Sequence, residues 1–174
     1  MVLLSESRHD NILPLEREVL ILPYARSIYD KAMLLRETGI SLKQQKYVKR
    51  SISFEIRHLC DVLSPDNLIP CVSLLAMNAA SDLGIDLKLM DWHDQPKFDP
   101  ERKVFHLEHV NPVSMVRDRC IGEHSLDAVK DILASDLRIA WILKEEDKIL
   151  RDLGYRSKRP SPEAAYAEAG IKLI

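Results

Sequence analysis

The sequence is short of glycine and of aromatic residues, with 5 glycines and an aromatic share of 6%. An all-β sandwich draws on glycine-rich turns and β-favouring aromatics, so that class is excluded. No run approaches the roughly 18 apolar residues of a membrane helix, and no membrane span is expected. Neither sign of charge dominates: 25 lysines and arginines stand against 27 aspartates and glutamates, a net charge of −2. Whole-chain basicity therefore gives no pointer to nucleic acid, although a local basic patch stays open. Cysteine is scarce, and Cys60, Cys71 and Cys120 follow no metal-like spacing. Each lies in an apolar context and reads as a reduced, buried thiol, which makes a cytoplasmic location the expectation. The start from Met1 to Asp10 is too short and too charged for a signal peptide. Glycine fingerprints of dinucleotide and P-loop sites are missing, as is the Gly-x-Ser-x-Gly elbow.

What is present favours helix: leucine, alanine, glutamate, lysine and arginine are abundant. The 174 residues fit one domain. Residues 1–13 read as a loose lead-in, 15–63 as an N-terminal helical segment, and 64–174 as an α/β part. Within the helical segment, a helix over 15–38 is expected to break at Pro23, because proline lacks the amide a helix interior needs. Ser41-Leu-Lys-Gln44 has the form of a capping box and opens a helix to about Leu63. Pro65 and Asp66 suit a further helix start, running to Gly84 with a kink or late start at Pro70.

The period then changes. Residues 85–92 and 103–110 alternate apolar and polar positions, and 137–143 form a short branched apolar run. Three strands follow, the first two able to pair as a long-looped hairpin. Helices from Pro112, Ser125, Lys144 and Ser161 complete the chain. The fold class expected is α+β, or a small α/β fold, dominated by helix with a sheet of about three strands covered by helices.

The densest chemistry lies in Phe105-His-Leu-Glu-His-Val-Asn-Pro112. Imidazole and carboxylate ligate Mg, Mn or Zn, and either can act as a base. In a strand, His106 and Glu108 share one face and His109 takes the other, unless the strand end bends it back. Asp91, His93 and Asp94 join this site if the hairpin forms. The metal set is then His106, Glu108, Asp91, His93 and Asp94, with His109 and Glu108 catalytic. Lys43, Lys46, Arg50 and Arg57 on the second helix, and Arg156, Lys158 and Arg159 in a loop beside Tyr155, are candidate phosphate contacts. Trp92 and Trp141 read as packing residues.

The run His-Leu-Glu-His-Val-Asn-Pro resembles the opening of the HNH endonuclease core. That resemblance implies a general base at His109 beside a divalent cation, with Glu108 where the family has aspartate. Its later asparagine and histidine have no counterpart here. Pro65-Asp66 with Asp86-Leu-Lys88 resembles the motif letters of the PD-(D/E)xK nucleases; Asp91 or Asp94 with Glu108 fit that acidic role better.

Two functions are compatible with these residues. One is a small metal-dependent phosphodiesterase or nuclease that contacts nucleic acid through a local basic patch. The other is a non-enzymatic regulatory, antitoxin-like or immunity-like protein. It would bind a partner, or a second copy of itself, through apolar faces of the helices at 15–63.

Overall fold

The computed structural model describes residues 16–174. The lead-in expected at 1–13 and the first residue of the helix expected from 15 lie outside this range. Among the described residues no helix is long and apolar enough to cross a membrane.

Helix α1 (Arg17–Leu34) runs through Pro23 without a break, against the expected interruption. Interior proline costs about 3 kcal/mol. The face carrying Ile21, Ala25, Ile28 and Ala32 is fully buried, and the two isoleucines alone recover about 3 to 6 kcal/mol. Pro23 itself is exposed. Helix α2 (Leu42–Leu63) starts as its capping box predicts: the Gln44 amide donates to Ser41 Oγ at 3.2 Å, and the Ser41 amide to Gln44 Oε1 at 2.9 Å. Ile52, Ile56, Leu59 and Leu63 form its buried stripe.

The helix expected from Pro65 to Gly84 is corrected to a turn, strand β1 (Cys71–Val72) and helix α3 (Leu74–Asp82). Pro70 favours extended backbone before it, and β1 takes its place beside Ala140 and Trp141. Ser73 then caps α3, accepting from the Ala76 amide at 3.1 Å.

The strand expected at 85–92 is also corrected. Its centre is a single 3-10 turn at Leu87–Leu89. The Asp86 carboxylate accepts from the Lys88 amide at 3.0 Å and holds that turn closed. Leu87 is buried and Leu89 exposed, so the alternation does not line up a face. Helix α4 (Gln95–Phe98) and a second 3-10 turn (Pro100–Arg102) follow.

Strand β2 (Phe105–His109) therefore pairs not with 85–92 but with β3 (Ile139–Leu143), antiparallel, with Phe105 opposite Leu143 and His109 opposite Ile139. Helices α5 (Val113–Gly122) and α6 (Leu126–Asp136) connect them. The sheet has the order β1-β3-β2 and is mixed. Helices α7 (Lys144–Asp152) and α8 (Pro162–Glu168) complete the helix-dominated α+β fold.

The buried central strand β3 divides the core by its alternation. Trp141 packs with Val72, Ala76, Leu87 and Phe105. Ala140 and Ile142 pack on the other face with Leu150, Ala165 and Tyr166. The largest cluster joins α1, α2, α5 and α6 and reaches the sheet through Ile139. Strand β2 is left at the edge, between the helical cluster and α7.

Candidate functional site

Register fixes which way the chemistry of β2 points. His106 is opposite Ile142 and Glu108 opposite Ala140, so the two side chains share one face. The β3-to-α7 junction returns over that face and brings Asp147. One ligand atom each from His106, Glu108 and Asp147 lies within 4.8 Å of the others, and all three side chains are half-buried. His106 Nε2 stands 3.2 Å from Glu108 Oε2 and 3.8 Å from Asp147 Oδ1.

Glu108 is anchored from behind. Its Oε1 accepts from Arg159, whose guanidinium is buried and also donates to the carbonyls of Tyr155 (2.9 Å) and Val110 (2.7 Å). Burial alone would raise the Glu108 carboxyl, but the His106 hydrogen bond and the Arg159 charge outweigh it and hold the group below the usual carboxylate range. An ionised carboxylate needs to lose no proton to bind a cation. His109 sits at the strand end. Burial pushes its imidazole down to about 4, so the ring is neutral near pH 7.

These groups stand on the wall of a cleft of about 550 Å³, which Arg57, Arg117, Arg151 and Arg156 also line. Arg151 Nε pairs with Asp147 at 3.2 Å. Arg117 pairs with Asp118 and donates to Ser53 Oγ at 3.3 Å. A second groove, lined by Lys46, Lys49 and Arg50, shares Ser53 and Arg117 with the cleft. The side chains at 46, 50, 53 and 57 recur at spacings of four, three and four residues, one face of α2.

The residues singled out from sequence divide accordingly. His106, Glu108 and His109 come together, and Arg156 joins them in the cleft. Lys46 and Arg50 line the neighbouring groove. Lys43 and Lys158 are exposed and line neither. Arg159, expected as a surface phosphate contact, is instead 5% exposed and committed to Glu108 and backbone carbonyls. Without the hairpin, Asp91, His93 and Asp94 stay outside the ligand cluster. Asp91 accepts from the Asp94 amide at 2.8 Å, Asp94 pairs with Lys97, and His93 is exposed. Asp86 and Lys88, the PD-(D/E)xK letters, belong to the 3-10 turn instead of a strand. Trp141 is core, as expected, but Trp92 is half-buried and lines a cavity.

Asp147, Arg117 and Arg151 carry no signal of their own in the sequence. Asp147 ends the run Glu145-Glu146-Asp147, which suits the positive start of any helix. Only the β2–β3 pairing, which lays the first turn of α7 beside β2, singles it out.

Comparison with known families, with characterised proteins and with solved structures finds no match for this chain. The HNH-like letters at 106–112 thus stand alone, without a family match around them.

Proposed function

We propose that this chain is a small divalent-metal-dependent phosphodiesterase acting on nucleic acid. One observation supports the reading. Two carboxylates and an imidazole converge within 4.8 Å on a cleft whose other charged residues are all arginine. Clustered carboxylates attract a cation and clustered arginines attract an anion. A phosphate diester that bridges a cation and guanidinium groups satisfies both.

In this reading His106, Glu108 and Asp147 hold the ion, which would polarise the phosphoryl oxygen and bring a water to it. Arg57, Arg117 and Arg156 neutralise the non-bridging oxygens. Hydrolysis adds water across one P–O bond: the water oxygen joins phosphorus, and the departing ester oxygen takes up a proton. His109, neutral and beside the cleft, accepts the attacking water's proton. Lys46, Lys49 and Arg50 extend the positive surface for neighbouring phosphates.

The test is Mn²⁺-dependent hydrolysis of bis(p-nitrophenyl) phosphate, with H106N and D147N as variants. Turnover that needs the metal and falls at least about a hundredfold in either variant supports the reading. Turnover absent with Mg²⁺, Mn²⁺ and Zn²⁺ alike overturns it. A non-enzymatic partner protein is the second reading, favoured by exposed Leu42, Tyr47 and Phe54 on α2.

A further inference from the structure

A second cavity, of about 330 Å³, lies against the arginine-lined cleft. It shares Arg57, His106, Glu108 and His109 with that cleft, so the two recesses adjoin along the edge strand β2. Their characters differ. Four arginines line the cleft. Cys60, Trp92, Leu107 and Ile139 give this cavity an apolar wall, and Asp61 is its one acidic residue away from the shared ones.

Trp92 is held in a fixed pose. The Arg102 guanidinium lies 3.4 Å from the centre of its ring, and Arg102 Nη2 donates to the Trp92 carbonyl at 3.1 Å. Arg102 therefore covers one face of the indole, and Trp92 also lines the cavity. A half-buried tryptophan backed by a cation is a preformed stacking surface for a planar ring. The volume is at the low end of small-molecule sites, enough for a ring system with its sugar and too small for a folded partner. Arg57 lines both recesses, so a phosphate held at that residue stands beside this cavity.

We propose that the apolar cavity is a nucleobase pocket. The base attached to the phosphate in the cleft stacks on Trp92, and the Asp61 carboxylate accepts a hydrogen bond from an N–H on the base edge. This rests on the phosphate-binding half of the reading above and names its substrate unit, a nucleotide instead of a bare phosphate ester. Bases in a duplex are already stacked and paired, so a pocket of this kind selects single-stranded or frayed nucleic acid.

The test uses the full chain in EDTA, so that binding is read without turnover. The four ribonucleoside 5′-monophosphates are titrated against ribose 5-phosphate, which has the phosphate and sugar but no base. At least one nucleotide is expected to bind about ten- to a hundredfold tighter than ribose 5-phosphate and to quench tryptophan emission. W92A should bring that ratio close to one, while W92F keeps most of it. Ribose 5-phosphate binding within about twofold of every nucleotide overturns the proposal, and so does a ratio that survives W92A. No measurable binding of any of the five overturns it as well. If W92A does not fold, quenching in the wild-type chain decides, because Trp141 is fully buried and Trp92 is the tryptophan a ligand can reach. The two readings fail separately. A retained base preference with no diester hydrolysis removes the phosphodiesterase and leaves the pocket; hydrolysis with no base preference does the reverse.

Discussion

Two carboxylates, one in the loop before strand β2 and one within it, are satisfied in opposite ways. Asp99, just before the strand, accepts from the amides of Lys103 (2.9 Å), Val104 (3.1 Å) and Phe105 (2.9 Å) and from Gln95 Nε2 (2.9 Å). All its partners lie within six residues, and most are backbone. Glu108 takes no amide: its partners are the side chains of His106 and of Arg159, 51 residues away. A carboxylate tied to its own loop's amides cannot exchange them for a ligand without unfolding the loop. One tied to side chains at a cleft can, because an imidazole can turn to a cation. The first is a structural knot that lets Glu101 and Arg102 hold left-handed φ values of 61° and 54°. The second is where chemistry can enter.

Breaking each carboxylate's support tests the distinction, and the largest effect is expected at Arg159. R159A leaves Glu108 without its counter-charge and strips a donor from the carbonyls of Tyr155, His109 and Val110. A loss of about 3 to 5 kcal/mol is expected in urea unfolding. A change below about 1 kcal/mol would mean that Glu108 is freely solvated and that the anchoring picture is wrong.

The knot comes next. D99A leaves three strand-entry amides without an acceptor and should cost about 2 to 3 kcal/mol. Burial alone would raise the Asp99 carboxyl, but the hydrogen bonds from Phe105, Gln95, Val104 and Lys103 prevail and lower it. A folded pKa below the unfolded one means that the unfolded chain binds the proton first. The stability due to Asp99 is therefore present above about pH 4 and is lost as pH falls through its lowered folded value. Unfolding free energies measured from pH 6 to pH 2 should fall less in D99A than in wild type; parallel curves would contradict this.

A smaller effect is expected at the cleft itself. D147N should weaken Mn²⁺ binding, followed by calorimetry, about ten- to a hundredfold, while D99N leaves affinity for the ion unchanged in the folded protein. Equal losses in the two variants would erase the contrast between knot and site. Smallest of all is the effect of D147N on folding. Asp147 is half-buried, and its contacts are Arg151 and His106, so its unfolding free energy should stay within about 0.5 kcal/mol of wild type.

How far the sequence revealed this difference varies residue by residue. Ser41 and Gln44 announce the start of α2, since both partners of a capping box lie three residues apart. The apolar run at 137–143 announces β3, because a strand buried on both faces needs no alternation. The pairing of His106 with Glu108 on one face follows from the period of a strand. Pro23 and the segment 64–84 mislead because local preference is outweighed by what the segment packs against, whereas 85–92 misleads because the Asp86 carboxylate closes a turn on the Lys88 amide. Burial of Ile21 and Ile28 carries α1 through its proline, and β3 claims both Cys71–Val72 and β2 as neighbours.

The helix-rich α+β character, most helix starts and the concentration of imidazole and carboxylate at 106–109 are legible in the order of residues alone. Each of these depends on residues within a turn or two of one another, where spacing is geometry. The tertiary structure alone decided that β2 pairs with β3, that Asp147 and not Asp91 or Asp94 completes the cluster, and that Arg159 turns inward while Arg57 and Arg117 line the cleft. Those outcomes join residues tens of positions apart, and which of them meet is set by the burial of the sheet and helix faces between them.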